Sequence, residues 1–175
     1  MKKLVLLSLL ISSLSGSQLF AQKDAEKSKR PSPPAKVTQK IKSGAIISID
    51  YSQPSVKGRT IGKDLEPMEG QVWRTGANEA TIFETDKAVT VNRSKLPAGK
   101  YGLFTIFKGN EVTFIFNKTW KQWGAFKYVE ADDLLRIKAT ATDPGKVTEK
   151  LTFSIDTKGE VTLLWGNKKV SFSVQ

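Results

Sequence analysis

From residue 45 onward, apolar and polar positions alternate with the period of two that marks a half-buried strand. In Ala45-Ile46-Ile47-Ser48-Ile49-Asp50-Tyr51, residues Ala45, Ile47, Ile49 and Tyr51 share the predicted core face, and Asp50 falls on the opposite one. Two later runs behave alike. Leu135, Ile137, Ala139 and Ala141 alternate with Arg136, Lys138 and Thr140, and Leu151, Phe153 and Ile155 alternate with Thr152, Ser154 and Asp156. Tyr101 to Phe107 differs, because Leu103, Phe104, Ile106 and Phe107 put apolar groups on both faces, which predicts a central strand. Gly109-Asn110 supplies a tight hairpin into Val112 to Phe116, so these two strands are predicted to pair antiparallel. Shorter strands are predicted at 37–41, 79–85 and 88–91, the last turning at Asn92-Arg93-Ser94-Lys95, and Leu96-Pro97-Ala98-Gly99 has the form of a type I turn. Thr157-Lys158-Gly159 leads into Val161, Leu163 and Trp165, and Gly166-Asn167 into Val170, Phe172 and Val174, a closing meander. With no internal repeat and no long helix, the pattern predicts an all-β fold: an antiparallel β-sandwich or flattened barrel of about nine or ten short strands, with at most one short helix.

The beginning of the chain lacks this rhythm. Lys2 and Lys3, an apolar run from Leu4 to Leu10, and the small or polar Ser15, Gly16 and Ser17 read as a secretory signal over residues 1–21, cut after Ala21. The run falls short of the roughly 20 apolar residues a membrane span needs, and no later segment is more apolar, so no transmembrane segment is expected. Residues 22–35 are Lys, Glu, Ser and Pro with almost nothing to bury, which predicts a disordered basic leader ahead of a single β domain at 36–175. A mature chain of roughly 150 residues suffices for one core burying about two thirds of its unfolded surface. The chain has no cysteine, which excludes disulfides, a thiol nucleophile and a lipid-modified N-terminal Cys. The mature protein is therefore expected in the periplasm or outside the cell, as a monomer. Losing the two signal lysines lowers the formal charge from +11 to +9. For an exported chain this points away from nucleic acid and toward an anionic glycan or envelope component as partner.

Two irregular stretches interrupt the strands. Asp50 to Thr81 gathers Pro, Gly, Asn and Ser with charged and aromatic side chains, as functional loops do, and its candidate pocket residues are Asp50, Ser52, Arg59, Trp73, Arg74, Asn78 and Glu79. Two readings stand side by side: these charges tie loops to the sheet through charge-assisted hydrogen bonds, or they line one shared polar pocket. Trp73 and Trp165, at strand-like positions, read as core. The second stretch, 117–133, carries Trp120, Trp123, Phe126 and Tyr128 among Lys118, Lys121 and Lys127. Its tryptophans stand three residues apart, which on a short helical turn puts both rings on one side, and they either pack a long loop or offer an aromatic platform. Trp123, followed by Gly124 and Ala125 that permit close backbone approach, is predicted to be the packed one, and Trp120 the more exposed platform.

The chain has no histidine, which excludes Ser-His-Asp chemistry, His general bases and ordinary His-ligated zinc or copper. No nucleophile elbow, phosphate loop or acidic calcium loop is present, so no catalytic residue, metal or cofactor is expected. The alternative is a carboxylate-dependent hydrolase acting on glycan, for which Asp50 with Glu79, or Glu130 with Asp132 or Asp133, would have to face each other across a cleft.

The motifs Asp50-Tyr51-Ser52-Gln53-Pro54-Ser55-Val56-Lys57-Gly58-Arg59, Gln71 to Thr81, Leu96-Pro97-Ala98-Gly99-Lys100-Tyr101 and Gln122-Trp123-Gly124-Ala125 together resemble the secreted bacterial proteins grouped as domain-of-unknown-function family 2911. The resemblance covers most of the mature chain, with Gln53 where the motif leads one to expect Arg. It implies an exported β-rich domain and brings no activity with it. The expected function is a non-catalytic binding or envelope-associated module.

Overall fold

The alternating runs become twelve antiparallel strands among the residues that the computed structural model describes, 26–175. The expected signal segment and residues 22–25 of the expected leader lie outside them. In chain order the strands are β1 (Pro34–Lys40), β2 (Ile46–Ser52), β3 (Val72–Trp73), β4 (Ile82–Thr85), β5 (Val89–Val91), β6 (Ser94–Leu96), β7 (Gly99–Lys108), β8 (Glu111–Asn117), β9 (Asp133–Thr140), β10 (Thr148–Ile155), β11 (Glu160–Gly166) and β12 (Lys168–Ser173). One sheet runs β1-β2-β4-β7-β8-β9, with β3 also paired to β7, and a second runs β10-β11-β12. The sheets do not close into a barrel, so the fold is a sandwich. A 3-10 turn spans Glu130–Asp132.

The larger sheet turns one face onto the smaller one, and the alternating side chains fill the space between. Ile47, Ile49, Phe83, Leu103, Phe114 and Phe116 meet Leu151, Phe153, Val161, Leu163, Trp165 and Phe172, all buried. Phe172 is the hub, with its ring 4.8 Å from Phe114, 5.9 Å from Phe116 and 6.4 Å from Phe83. Trp73 and Trp165 are core, as expected, each 1% exposed. Backbone bonds stitch the margins of the sandwich. Past β2 the chain crosses onto β10, where Val56 N–H donates to Glu149 O (2.9 Å) and Leu151 N–H to Pro54 O (3.0 Å). Gln53 adds a side-chain bond to Leu151 O (2.9 Å). At the other margin Thr90 and Gln175 exchange bonds of 2.7 and 2.9 Å.

β7 is the central strand that its apolar run predicted. Leu103 and Phe107 point into the sandwich, while Phe104 and Ile106 face outward with Ile115 and are covered by Val72, Ala80, Ala125 and Tyr128. The two strands missing from the sequence reading are β3 and β6, of two and three residues, too short to leave a periodicity. The β5–β6 turn is also tighter than expected: Val91 pairs with Ser94, leaving Asn92 and Arg93 with φ of 44° and 73°, the two positive values a type I′ hairpin requires. β1 begins at Pro34, inside the expected leader. Among the described residues no helix is long and apolar enough to cross a membrane.

Replacing Phe172 by Ala removes a buried ring that joins both layers and should cost roughly 3 to 5 kcal/mol, read as a lowered denaturant midpoint. Phe126→Ala, at a side chain 85% exposed, should stay within about 0.5 kcal/mol in the same assay.

Candidate functional site

Cross-strand register places Lys36, Asp50, Ile82, Gly102 and Asn117 in one row across β1, β2, β4, β7 and β8. The row belongs to the outer face of the larger sheet, because the neighbours of Asp50, Ile49 and Tyr51, point inward. Gly102 is the position that lets a loop lie down on this face. A Cβ there would come within 2.7 Å of the Phe104 ring and 3.2 Å of the Thr119 carbonyl. The loop of residues 118–129 thereby forms one wall of a cleft, with β1, β2 and β4 as floor and residues 26–34 as the other wall. The cleft holds about 760 Å³ and is lined by Pro34, Ala35, Ala80 and Ile82, by Asp50 and Glu79, by Trp120 and Trp123, and by Lys27, Arg30 and Lys121.

Both carboxylates of the cleft are engaged by cations. Arg30 donates to the two oxygens of Glu79 at 3.1 and 2.9 Å, and Lys27 lies 3.4 Å from the same carboxylate. Burial raises the pKa of Glu79, but bonds from backbone and Arg30 and the charges of Lys27 and Arg30 outweigh it, so the group is held below its ordinary value. A general acid would need the opposite shift. Asp50 pairs with Lys36 at 3.1 Å, directly opposite it on β1. Lys121 is exposed and makes no ion pair among the described residues.

Trp123 is 55% exposed and Trp120 half-buried, which reverses the expected assignment. The reason lies in the backbone. Residues 122–124 pair with 78–80 in a short antiparallel bridge, with Ala80 N–H donating to Gln122 O (3.0 Å) and Gly124 N–H to Asn78 O (2.9 Å). Extended pairing alternates side chains, so Gln122 turns in and Trp123 turns out. The expected helical turn, with both indoles on one side, is absent. The guanidinium of Arg30 sits 5.7 Å from the Trp123 ring and Lys100 Nζ 5.6 Å from the Trp120 ring, both as cation–π contacts.

The residues expected to share one pocket divide between two depressions. Asp50, Ser52 and Glu79 line the cleft, to which Trp120, expected as a platform, also contributes. Arg59, Trp73, Arg74 and Asn78 line a second, smaller depression of about 280 Å³, together with Glu66 and Trp165. Both tying and lining roles occur within the set: Arg59 donates to Val56 O (3.1 Å) and Ser55 O (2.6 Å), and Asn78 to Ser32 O (2.9 Å), whereas Arg74 makes no such bond.

With the site in place, the comparison with protein families is direct: the family described as "Protein of unknown function (DUF2911)" matches residues 32–174. The chain belongs to the DUF2911 family. No curated protein and no solved structure matches it. The DUF2911 match begins at Ser32, so Lys27 and Arg30, which complete one wall of the cleft, precede the matched region. Sequence reasoning missed these two residues because a segment poor in apolar groups carries no packing signal. It also passed over Gln122, whose buried amide donates to Thr119 O (2.7 Å) and accepts from Lys127 N–H (3.1 Å). The cues were its place at the head of the Gln122-Trp123-Gly124-Ala125 motif and its alternation with Trp123.

The far end of the DUF2911 loop wall is anchored by a network around Asp133. Its carboxylate accepts from Asn117 Nδ2 (2.7 Å), Tyr128 Oη (2.7 Å) and Arg136 Nε (2.7 Å). Arg136 also donates to Tyr128 Oη (2.8 Å), and the Tyr128 ring packs 5.2 Å from Phe104. Glu130, Asp132 and Asp133 are thus set among partners: Arg136 pairs with Glu130 at 3.3 Å, and Thr119 donates to Asp132 (2.8 Å). Burial and the bond to Asp133 push the Tyr128 phenol up to about 12, against the opposing pull of Arg136.

Because the folded-state pKa of Tyr128 is raised above the ordinary value of 10.0, folding favours the protonated phenol. That stabilisation should be whole below about pH 10 and disappear as pH rises toward about 12. Unfolding midpoints measured across this window should fall more steeply for the wild type than for Tyr128→Phe.

Proposed function

We propose that the protein is an exported, non-catalytic binding module whose cleft receives an anionic sugar. The observation that carries the reading is the composition of the cleft: an exposed indole at Trp123 beside an apolar floor of Pro34, Ala35, Ala80 and Ile82, with the exposed Lys121 alongside and both carboxylates already engaged. An indole face and an apolar floor suit the flat C–H face of a pyranose, and a lysine with no carboxylate partner among the described residues suits an acid group on it. Export rests on the signal-like residues 1–21. Paired carboxylates do not supply the protonated acid that glycoside cleavage needs, which favours binding over turnover.

The test is titration of the purified mature chain with uronic-acid oligosaccharides, followed by tryptophan fluorescence. Saturable quenching is expected, weakened at least tenfold in Trp123→Ala, a loss of about 1.4 kcal/mol of binding energy. The same variant should unfold within about 0.5 kcal/mol of the wild type, since its side chain is largely exposed. Trp120→Ala should be the more destabilising of the two. Absence of quenching by acidic and neutral oligosaccharides alike would sink the binding reading. Turnover of a glycan that is lost in Asp50→Asn or Glu79→Gln would replace it with the hydrolase.

A further inference from the structure

The smaller depression is lined by a guanidinium, that of Arg74, one nitrogen of which has no acceptor among the described residues. The Arg74 Nε–H is shielded from solvent and has no acceptor, the one buried side-chain polar atom among the described residues in that condition. Native folds rarely leave a buried donor without a partner, and a guanidinium donor is a costly one to strand. Burial correspondingly lowers the pKa of Arg74, with the Glu66 carboxylate working in the other direction.

The backbone that carries Arg74 is held in an unusual form from every side. Thr75, a β-branched residue, has φ of 53°, and Asn78 has φ of 57°. Thr75 is locked by its hydroxyl, 3.1 Å from that of Thr105, and by its carbonyl, which accepts from Thr81 Oγ1 at 2.9 Å. Trp73 Nε1 donates to Gly76 O (3.0 Å), and a Cβ at Gly76 would lie 2.9 Å from Thr81 Oγ1 and 3.1 Å from the Ser52 carbonyl. A positive φ at a β-branched residue persists only where the surroundings over-determine it, and such positions cluster at ligand sites.

The walls fit a particular class of guest. The indole N–H groups of Trp73 and Trp165 are already used, by Gly76 O and by Glu66 O (2.8 Å), so the rings offer apolar surface. Glu66 is the single carboxylate of the lining, and its Oε2 accepts from Met68 N–H (2.8 Å). Against it stand two guanidinium groups, Arg74 and the exposed Arg59.

We propose that this depression is a binding site for a compact oxyanion, a carboxylate or phosphate, received by the Arg74 guanidinium that lines it, with Arg59 as the second positive charge. A planar guanidinium matches two oxygens of such a group at once, and a space of about 280 Å³ takes a small acid or the acidic end of a longer molecule. The site is separate from the sugar cleft, with which it shares no lining residue.

The experiment is a titration of the mature protein with inorganic phosphate, acetate and glucuronate at constant ionic strength against chloride. It is read by the nitrogen–proton NMR signal of the Arg74 Nε–H and by the thermal midpoint. At least one of the three should shift the Arg74 signal saturably and raise the midpoint. Phosphate alone points to a free phosphate, acetate to any carboxylate, and glucuronate alone to an acid carried on a sugar body. Arg74→Lys keeps the charge but removes the fork, and should weaken binding at least tenfold. Absence of a saturable shift with all three anions overturns the proposal, as does equal binding by Arg74→Lys. Should that variant not fold, the wild-type Nε–H signal still decides. Trp123→Ala should leave this titration unchanged, so failure of the sugar cleft and failure of the anion site are read apart.

Discussion

The structure depends on β7, a ten-residue strand buried on both faces, one edge of which is shared by two partners. Gly99 to Gly102 pair with β4, while Thr105 and Ile106 pair with β3, and the opposite edge is filled by β8. β3 and β4 lie end to end on that edge, and the chain leaving β2 does not return directly to β4. It crosses onto β10, comes back to β7 as β3, and only then turns through residues 74–81 into the slot between β2 and β7. Apolar burial on both faces of β7 makes this detour worthwhile, since leaving its edge unpaired would strand backbone donors and acceptors inside the protein.

That detour generates both depressions. The segment 74–81 has one side against the sandwich margin, where Trp73, Trp165 and Glu66 meet, and the other against the loop 118–129. Ala77 and Asn78 line the smaller depression, and Glu79 and Ala80 line the cleft. The left-handed backbone at Asn78 is what lets adjacent residues face different spaces. The change of depression falls between Asn78 and Glu79, so Arg74 and Glu79, close in sequence, face two different spaces.

The strands were legible because their cause is local. A period of two is written into residues 45–51, 135–141 and 151–156, and the sandwich buries the face each run advertises. β3 and β6 were not legible, since two or three residues acquire their pairing from β7 and β5 and not from their own pattern. The candidate site was legible by composition and not by geometry. Its chemistry-bearing residues stood out where the strand rhythm failed, yet Trp120 and Trp123 exchanged roles because an extended bridge to residues 78–80, invisible in a three-residue spacing, replaced the helical turn that spacing suggested.

By itself the sequence determined the all-β class, the faces of the long strands, the burial of Trp73 and Trp165, and the family, because short-range alternation and contiguous motifs are properties of neighbouring residues. Only tertiary structure decided that Arg30, 49 positions away, grips Glu79, that Glu66 and Trp165 complete a space around Arg74, and that one guanidinium nitrogen ends buried without a partner. Those outcomes depend on which distant segments are brought to the same point. A hydrogen bond reaches about 3 Å, whereas the chain between its partners spans the whole fold.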